Sequence, residues 1–273
     1  MNFLKKIFSF YINSSIHVAI AVCAFAMITV KEFVLENSIS LMCFIFFGTI
    51  TGYSFIKYVA FFAFPHRLAK SNHRFFQSLI ILLAIGTLFC LFHLSFEAIL
   101  TTIILSLLTL SYAVPFLKNK SLRHFNGLKI FIVALVWAGV TVLVPYLNEF
   151  NEVPDDVIIA SIQRFLIVLA LMLPFEIRDL SVDASYLKTL PQQVGVLQTK
   201  LIGMVVLILC FFLEFMKDTF NETYFFSLLS MLVLIAVFVV LAQKKQSKYF
   251  ASFWVESIPI VWILLLFFLE RIS

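Results

Sequence analysis

Between residues 14 and 269 one pattern recurs along the chain: an apolar run of roughly twenty residues, a short polar break, then another run. A helix needs about 20 residues to cross roughly 30 Å of hydrocarbon. Runs of that order fall near 14–33, 38–63, 75–95, 97–114, 126–147, 157–177, 193–213, 223–242 and 253–269. Lipid cannot satisfy an open backbone, so each run is predicted to be a helix. Composition agrees: of 273 residues 62% are hydrophobic and 13% charged, with a mean hydropathy of +1.05, far from ordinary soluble domains. The fold class follows as all-α, a polytopic membrane protein of nine transmembrane helices forming a single domain over residues 1–273.

The formal charge of +5 does not point to nucleic acid, because the charges follow the breaks between runs. Alternate connections carry Lys5 and Lys6; Arg67, Lys70 and Arg74; Lys118, Lys120, Arg123 and Lys129; Arg178, Lys188 and Lys200; and Lys244, Lys245 and Lys248. The intervening ones carry Glu32, Glu36, Glu97, Glu149, Glu152, Asp155, Asp156, Glu214, Asp218, Glu222 and Glu270, with few bases. Nine spans with the N-terminus in the cytoplasm and the C-terminus outside satisfy the positive-inside rule throughout. The expected location is the inner or cell membrane if the source is a bacterium. The first run is too long for a signal peptide and lacks a small-residue cleavage site, so it is expected to be the first span. Cys23, Cys43, Cys90 and Cys210 lie in apolar runs without CxxC spacing and read as buried thiols.

Three polar segments fall on the basic side: PHRLAKSNHR at 65–74, VPFLKNKSLRHFNG at 114–127, and PFEIRDLSVDASYLKTLP at 174–191. If the sixth helix continues through Asp183, then Glu176, Asp179 and Asp183 stand at i, i+3 and i+7 on one face, with Arg178 pointing away. Like charges on adjacent turns repel, and desolvation raises the cost unless a cation is shared. Magnesium takes one or two carboxylates completed by substrate phosphates. The pattern therefore reads as a Mg²⁺-diphosphate site over which Lys118, Lys120 and Arg123 close. It reads equally as solvated acids paired with Arg178, Lys188 or Lys200. Asn13, Ser14 and His17, where the first run begins, are placed either to reach an acceptor substrate or to join helices by hydrogen bonds. Glu256, at the basic-side start of the last run, is a functional candidate unless Lys244 or Lys245 neutralises it.

EIRDLSVD at 176–183, followed by KTLP at 188–191, resembles the second aspartate-rich motif of the UbiA superfamily of intramembrane prenyltransferases. SYAVPFLKNK at 111–120, containing Tyr112, is similar to that family's Tyr-x-x-Pro stretch with trailing bases. Gly127 and Lys129 through ALVW at 134–137 resemble the start of its fifth helix. The resemblance implies a nine-helix bundle around a lipid-accessible central cavity. There an isoprenyl diphosphate would be held by Mg²⁺ on Glu176, Asp179 and Asp183, with Asp179 and Asp183 catalytic. The prenyl group would pass to an aromatic or other lipophilic acceptor. Lys57, Lys118, Lys120, Arg123, Lys188, Tyr112 and Asn13 would contact substrate. One departure stands out. The family's first acidic motif would fall on GTITGYSFIKY at 48–58, which holds no acid. Lys57 there is either a point charge for phosphate or an anchor reaching the interface. A second reading is a non-catalytic relative that binds an isoprenoid or quinone-type lipid, or a partner enzyme.

Overall fold

The computed structural model describes residues 2–63, 73–113, 127–180 and 188–272, with side chains described for 5–57, 80–113, 127–180 and 188–272. Each of the nine apolar runs is mostly helical in its described residues, and no strand occurs among them. In chain order the helices are α1 (Asn2–Asn13), α2 (Ile16–Glu32), α3 (Ile39–Ala63), α4 (His73–Leu91), α5 (Phe96–Ala113), α6 (Leu128–Ala138) and α7 (Val144–Leu147). They continue as α8 (Asp155–Asp179), α9 (Leu190–Val194), α10 (Val196–Leu213), α11 (Glu222–Leu241) and α12 (Ile258–Glu270). Seven segments are long and apolar enough to span a membrane, or eight if α1 and α2 form one bent span. The third run contributes only the shorter apolar helix Ile80–Leu91. The expected nine spans thus stand at seven or eight by length among the described residues. This is an integral, multi-pass membrane protein.

In lipid, burial of apolar surface gives little drive for helices to associate, so close packing of small residues takes over. α2 shows it. Ala19, Ala21, Ala24 and Ala26 are buried along its length, and it packs against α3, α12 and the α6–α7 segment. Gly203 lets α10 approach its neighbours so closely that an added Cβ would lie 2.7 Å from Leu173 and 3.1 Å from Val239. The main core gathers Phe25, Ile28, Ile167, Leu228, Ile235 and Trp262 between α2, α8, α11 and α12. A second core joins α2, α3 and α5 around Leu41, Ile45 and Leu105. Leu82, Phe89, Leu197, Phe226 and Leu264 stay exposed on the outside, as lipid-facing side chains do.

Three irregularities place the polar residues. Ser15, at φ +66°, breaks the chain between α1 and α2, which meet at 57°. A non-glycine residue in that conformation costs on the order of 1 kcal/mol. Between α6 and α7 a π turn, Gly139–Leu143, precedes Pro145, whose missing N–H removes one ladder hydrogen bond. A second π turn, Phe250–Val255, leads into Glu256 and α12. α1 was not separated from α2 by the sequence. It lies across the basic end of the bundle, with Phe8 packed on Tyr249 and Phe253 at 5.0 and 5.1 Å and with Lys5 and Lys6 exposed.

Candidate functional site

Side chains from α1, α2, α3, α6, α8 and the second π turn meet at the basic end. Lys57, on α3, donates to the Asn13 carbonyl at 2.9 Å and to Ser15 Oγ at 2.8 Å. It thereby holds the strained turn between α1 and α2. Two of its three N–H donors are used this way. Asn13 contributes its carbonyl; its amide instead bonds Ser9 Oγ at 3.0 Å. Glu256 follows the second π turn, next to Ser257, whose Oγ lies 3.3 Å from His17 Nε2. The lysines expected to neutralise Glu256, Lys244 and Lys245, form no ion pair with it among the described residues.

His17 is buried and links three elements. Its Nε2 lies 3.1 Å from the Phe253 carbonyl, which only accepts, so Nε2 donates and Nδ1 accepts from Tyr11 at 2.8 Å. Hydrogen bonding between helices is thus what this residue does. Trp137 donates to the Tyr53 hydroxyl at 3.1 Å, joining α6 to α3, and Tyr112 is buried on α5.

The acidic helix end differs from expectation in one respect. Arg178 does not point away from the acids. Its Nε lies 2.7 Å and its Nη2 3.1 Å from the two oxygens of Asp179, because a guanidinium on a flexible stem reaches an adjacent residue once the helix ends at 179. Glu176 is 1% exposed, and Lys129 reaches it from α6 at 2.8 Å. Asp183, Lys118, Lys120 and Arg123 lie outside the described residues. Lys188 is exposed at φ +42°, and the Thr189 that follows caps α9, its N–H donating to Gln192 Oε1 at 3.1 Å. No group of three His, Cys, Asp or Glu side chains placed to hold a metal occurs among the described residues. Asp179, partly exposed at the helix end, fits one carboxylate of a magnesium set that substrate phosphates would complete. Glu176 would join such a set only by giving up Lys129.

A second polar cluster, at the acidic end, escaped the sequence analysis although it carries a clear signal: Gln163 and Arg164 fall in the middle of an apolar run. Arg164 is 2% exposed. It donates to the Phe25 carbonyl at 2.8 Å and stacks over the rings of Phe25 and Trp262 at 4.3 and 5.5 Å. Lys217 sits between Glu32 at 2.6 Å and Glu214 at 2.7 Å, and Gln163 donates to Glu214 at 3.0 Å. Burial acts to lower the Lys217 pKa, but Glu32 and Glu214 outweigh it and hold the ammonium above the ordinary lysine value. With two cations against two carboxylates, the cluster is charge-balanced and ties α2, α8 and α10 together. Beside it, Asp156 accepts from the Asp218 and Thr219 N–H groups and the Thr219 hydroxyl at 2.7, 3.1 and 2.6 Å.

Against models of known protein families and the sequences of characterised proteins, the chain matches none. Its fold does have a solved counterpart. The structure of a digeranylgeranylglyceryl phosphate synthase in membranes is similar over 95% of this chain and 94% of that one, with a TM-score of 0.59 and 17% identity. At that identity the likeness carries architecture, not motifs. The helical bundle of this protein is UbiA-like.

Proposed function

We propose that the protein is an intramembrane prenyltransferase that moves an isoprenyl group from an isoprenyl diphosphate to a lipophilic acceptor at the basic, cytoplasmic end of the bundle. The observation that carries this is a fold shared with a membrane synthase, with Lys57 on α3 and Arg178 at the end of α8 on the basic side. Cations at one mouth of an apolar bundle suit a lipid with an anionic head. Mg²⁺ on Asp179 and Asp183 would supply charge neutralisation on the leaving diphosphate. The protein's own part is to bind and orient. Lys57 has a donor to spare for phosphate, and Arg178 can exchange Asp179 for a phosphate oxygen with the same fork geometry. Lys118, Lys120, Arg123 and Lys188 close on the diphosphate from the connections. Tyr53, Tyr112 and Trp137 supply aromatic faces that keep water from an allylic cation and stabilise its charge.

A second reading, lipid binding without diphosphate cleavage, is favoured by the pairing of Asp179 with Arg178 and of Glu176 with Lys129. Both pairs compete with a metal. Purified protein supplied with geranyl, farnesyl and longer prenyl diphosphates, with and without Mg²⁺ and with a panel of acceptors, separates the two. Mg²⁺-dependent diphosphate release supports transfer; no release from any donor leaves binding, and mass spectrometry of co-purified lipid then names the ligand class.

A further inference from the structure

The bend at Ser15 carries α1 57° off the axis of α2, so α1 leaves the bundle at a slant toward the plane of the basic end. What it packs on there is the connection between α11 and α12. Phe8 meets Tyr249 and Phe253 at 5.0 and 5.1 Å, and Phe253 continues the row of rings to Trp254 at 5.1 Å. These rings join two acid-free segments: residues 1–31 and 223–255 contain no Asp or Glu. Lys5 and Lys6 on α1, and Lys244, Lys245 and Lys248 on the connection, are exposed, and none forms an ion pair among the described residues. Lys248 Nζ lies 5.4 Å from the same Tyr249 ring on which Phe8 packs, which brings the two groups of lysines onto one surface.

Ile7, Phe10 and Trp254 are exposed beside them. A soluble anion would leave those side chains in water. The boundary of a bilayer covers them, since tryptophan and amphipathic helices both settle at headgroup depth. Lysines at that depth meet phosphates, and clusters of about four to eight bases next to a membrane-crossing helix favour anionic lipid.

We infer that α1 and the α11–α12 connection form one docking surface for anionic phospholipid, with the lysines on the headgroup phosphates and Ile7, Phe10 and Trp254 among the upper acyl chains. The surface uses none of the residues proposed to hold the diphosphate.

The test is lipid retention. The purified full chain is exchanged in micelles holding equal mole fractions of dioleoyl phosphatidylglycerol and dioleoyl phosphatidylcholine, and the lipid it keeps is counted by mass spectrometry. A lysine near an anionic surface strengthens binding about fivefold, so the wild type is expected to keep phosphatidylglycerol at least about tenfold over phosphatidylcholine at low salt. Most of that preference should vanish at about 1 M salt, where screening is nearly complete. Lys5→Gln, Lys6→Gln, Lys244→Gln, Lys245→Gln and Lys248→Gln together are expected to cut it at least about fivefold at an unchanged thermal midpoint, and arginine at the same positions to keep it. Lys5→Gln with Lys6→Gln alone, outside every long apolar run, should account for part of that loss. Phe8→Ala removes no charge but frees α1 from the connection, and is expected to lower the preference about fivefold, as if one lysine contact had gone. No preference in the wild type, or an unchanged one in the glutamine protein, would overturn the surface. Wild-type preference in Phe8→Ala would overturn its being a single surface. Displacement of phosphatidylglycerol by sodium diphosphate, but not by sodium chloride of equal ionic strength, would overturn lipid as the occupant in favour of a soluble anion.

Discussion

Lys217 lies 2.6 Å from Glu32, a residue 185 positions earlier in the chain, and the two side chains are only 3% and 6% exposed. An ion pair that dry owes its stability to being complete. Removing one partner leaves a buried charge alone, at a cost of about 3–5 kcal/mol. Lys217→Met is therefore expected to lower stability by about that much, since it strands Glu32 and Glu214 together. Glu32→Gln in the Lys217→Met background should recover part of the loss. A double-mutant cycle on unfolding in detergent measures the coupling; additive losses would mean that the two residues do not interact.

The same pair sets a pH response. The Lys217 pKa is raised in the fold, so its contribution is fully present below the unfolded lysine value of about 10.4 and is lost as pH rises through the higher folded value. The thermal midpoint of the wild type should fall above about pH 10.4 by more than that of Lys217→Met, which has no such proton to lose. Equal slopes in the two proteins would contradict the assignment.

Arg178 and Asp179 bear on the proposed chemistry. Both side chains are about one third exposed, so breaking their pair costs stability little, up to about 1 kcal/mol. Asp179→Asn is accordingly expected to keep the thermal midpoint while lowering Mg²⁺-dependent diphosphate release about a hundredfold, the loss typical of a group facing transition-state charge. Asp179→Asn combined with Asp183→Asn is expected to abolish release. Wild-type turnover in the double variant would remove the metal site.

Lys57 separates anchoring from binding. If its spare donor meets phosphate, Lys57→Met raises the donor KM about tenfold, as loss of a charged hydrogen bond does, and leaves kcat within a few-fold. If it only secures the Ser15 turn, the variant shows an unchanged KM and faster proteolysis of α1. Steady-state kinetics beside limited proteolysis decide between them.

Gly203 tests the packing. Its added Cβ would sit 2.7 Å from a Leu173 methyl, so Gly203→Ala is expected to destabilise by about 1–3 kcal/mol. Leu173→Ala should relieve much of that in the double variant. Thermal unfolding of the two singles and the double reads it directly.

The sequence by itself determined the all-helical, membrane-spanning architecture and the separation of a basic from an acidic end. Those follow from local rules: backbone in lipid must close its own hydrogen bonds, and the length and charge of each connection are written in order along the chain. The acidic helix end at Glu176 and Asp179 was visible for the same reason, and the interfacial kink at Ser15 was not, since nothing local marks a serine for the left-handed region. Tertiary structure alone decided which charge meets which. Arg178 turned to Asp179, Lys129 to Glu176, Lys57 to the α1–α2 turn, and Lys217 to a glutamate nearly two hundred residues away. Pairing between helices depends on how bundles pack and on which side chains small residues allow to approach. Linear spacing does not encode that distance, yet in a medium of low dielectric it fixes the energy of every charge.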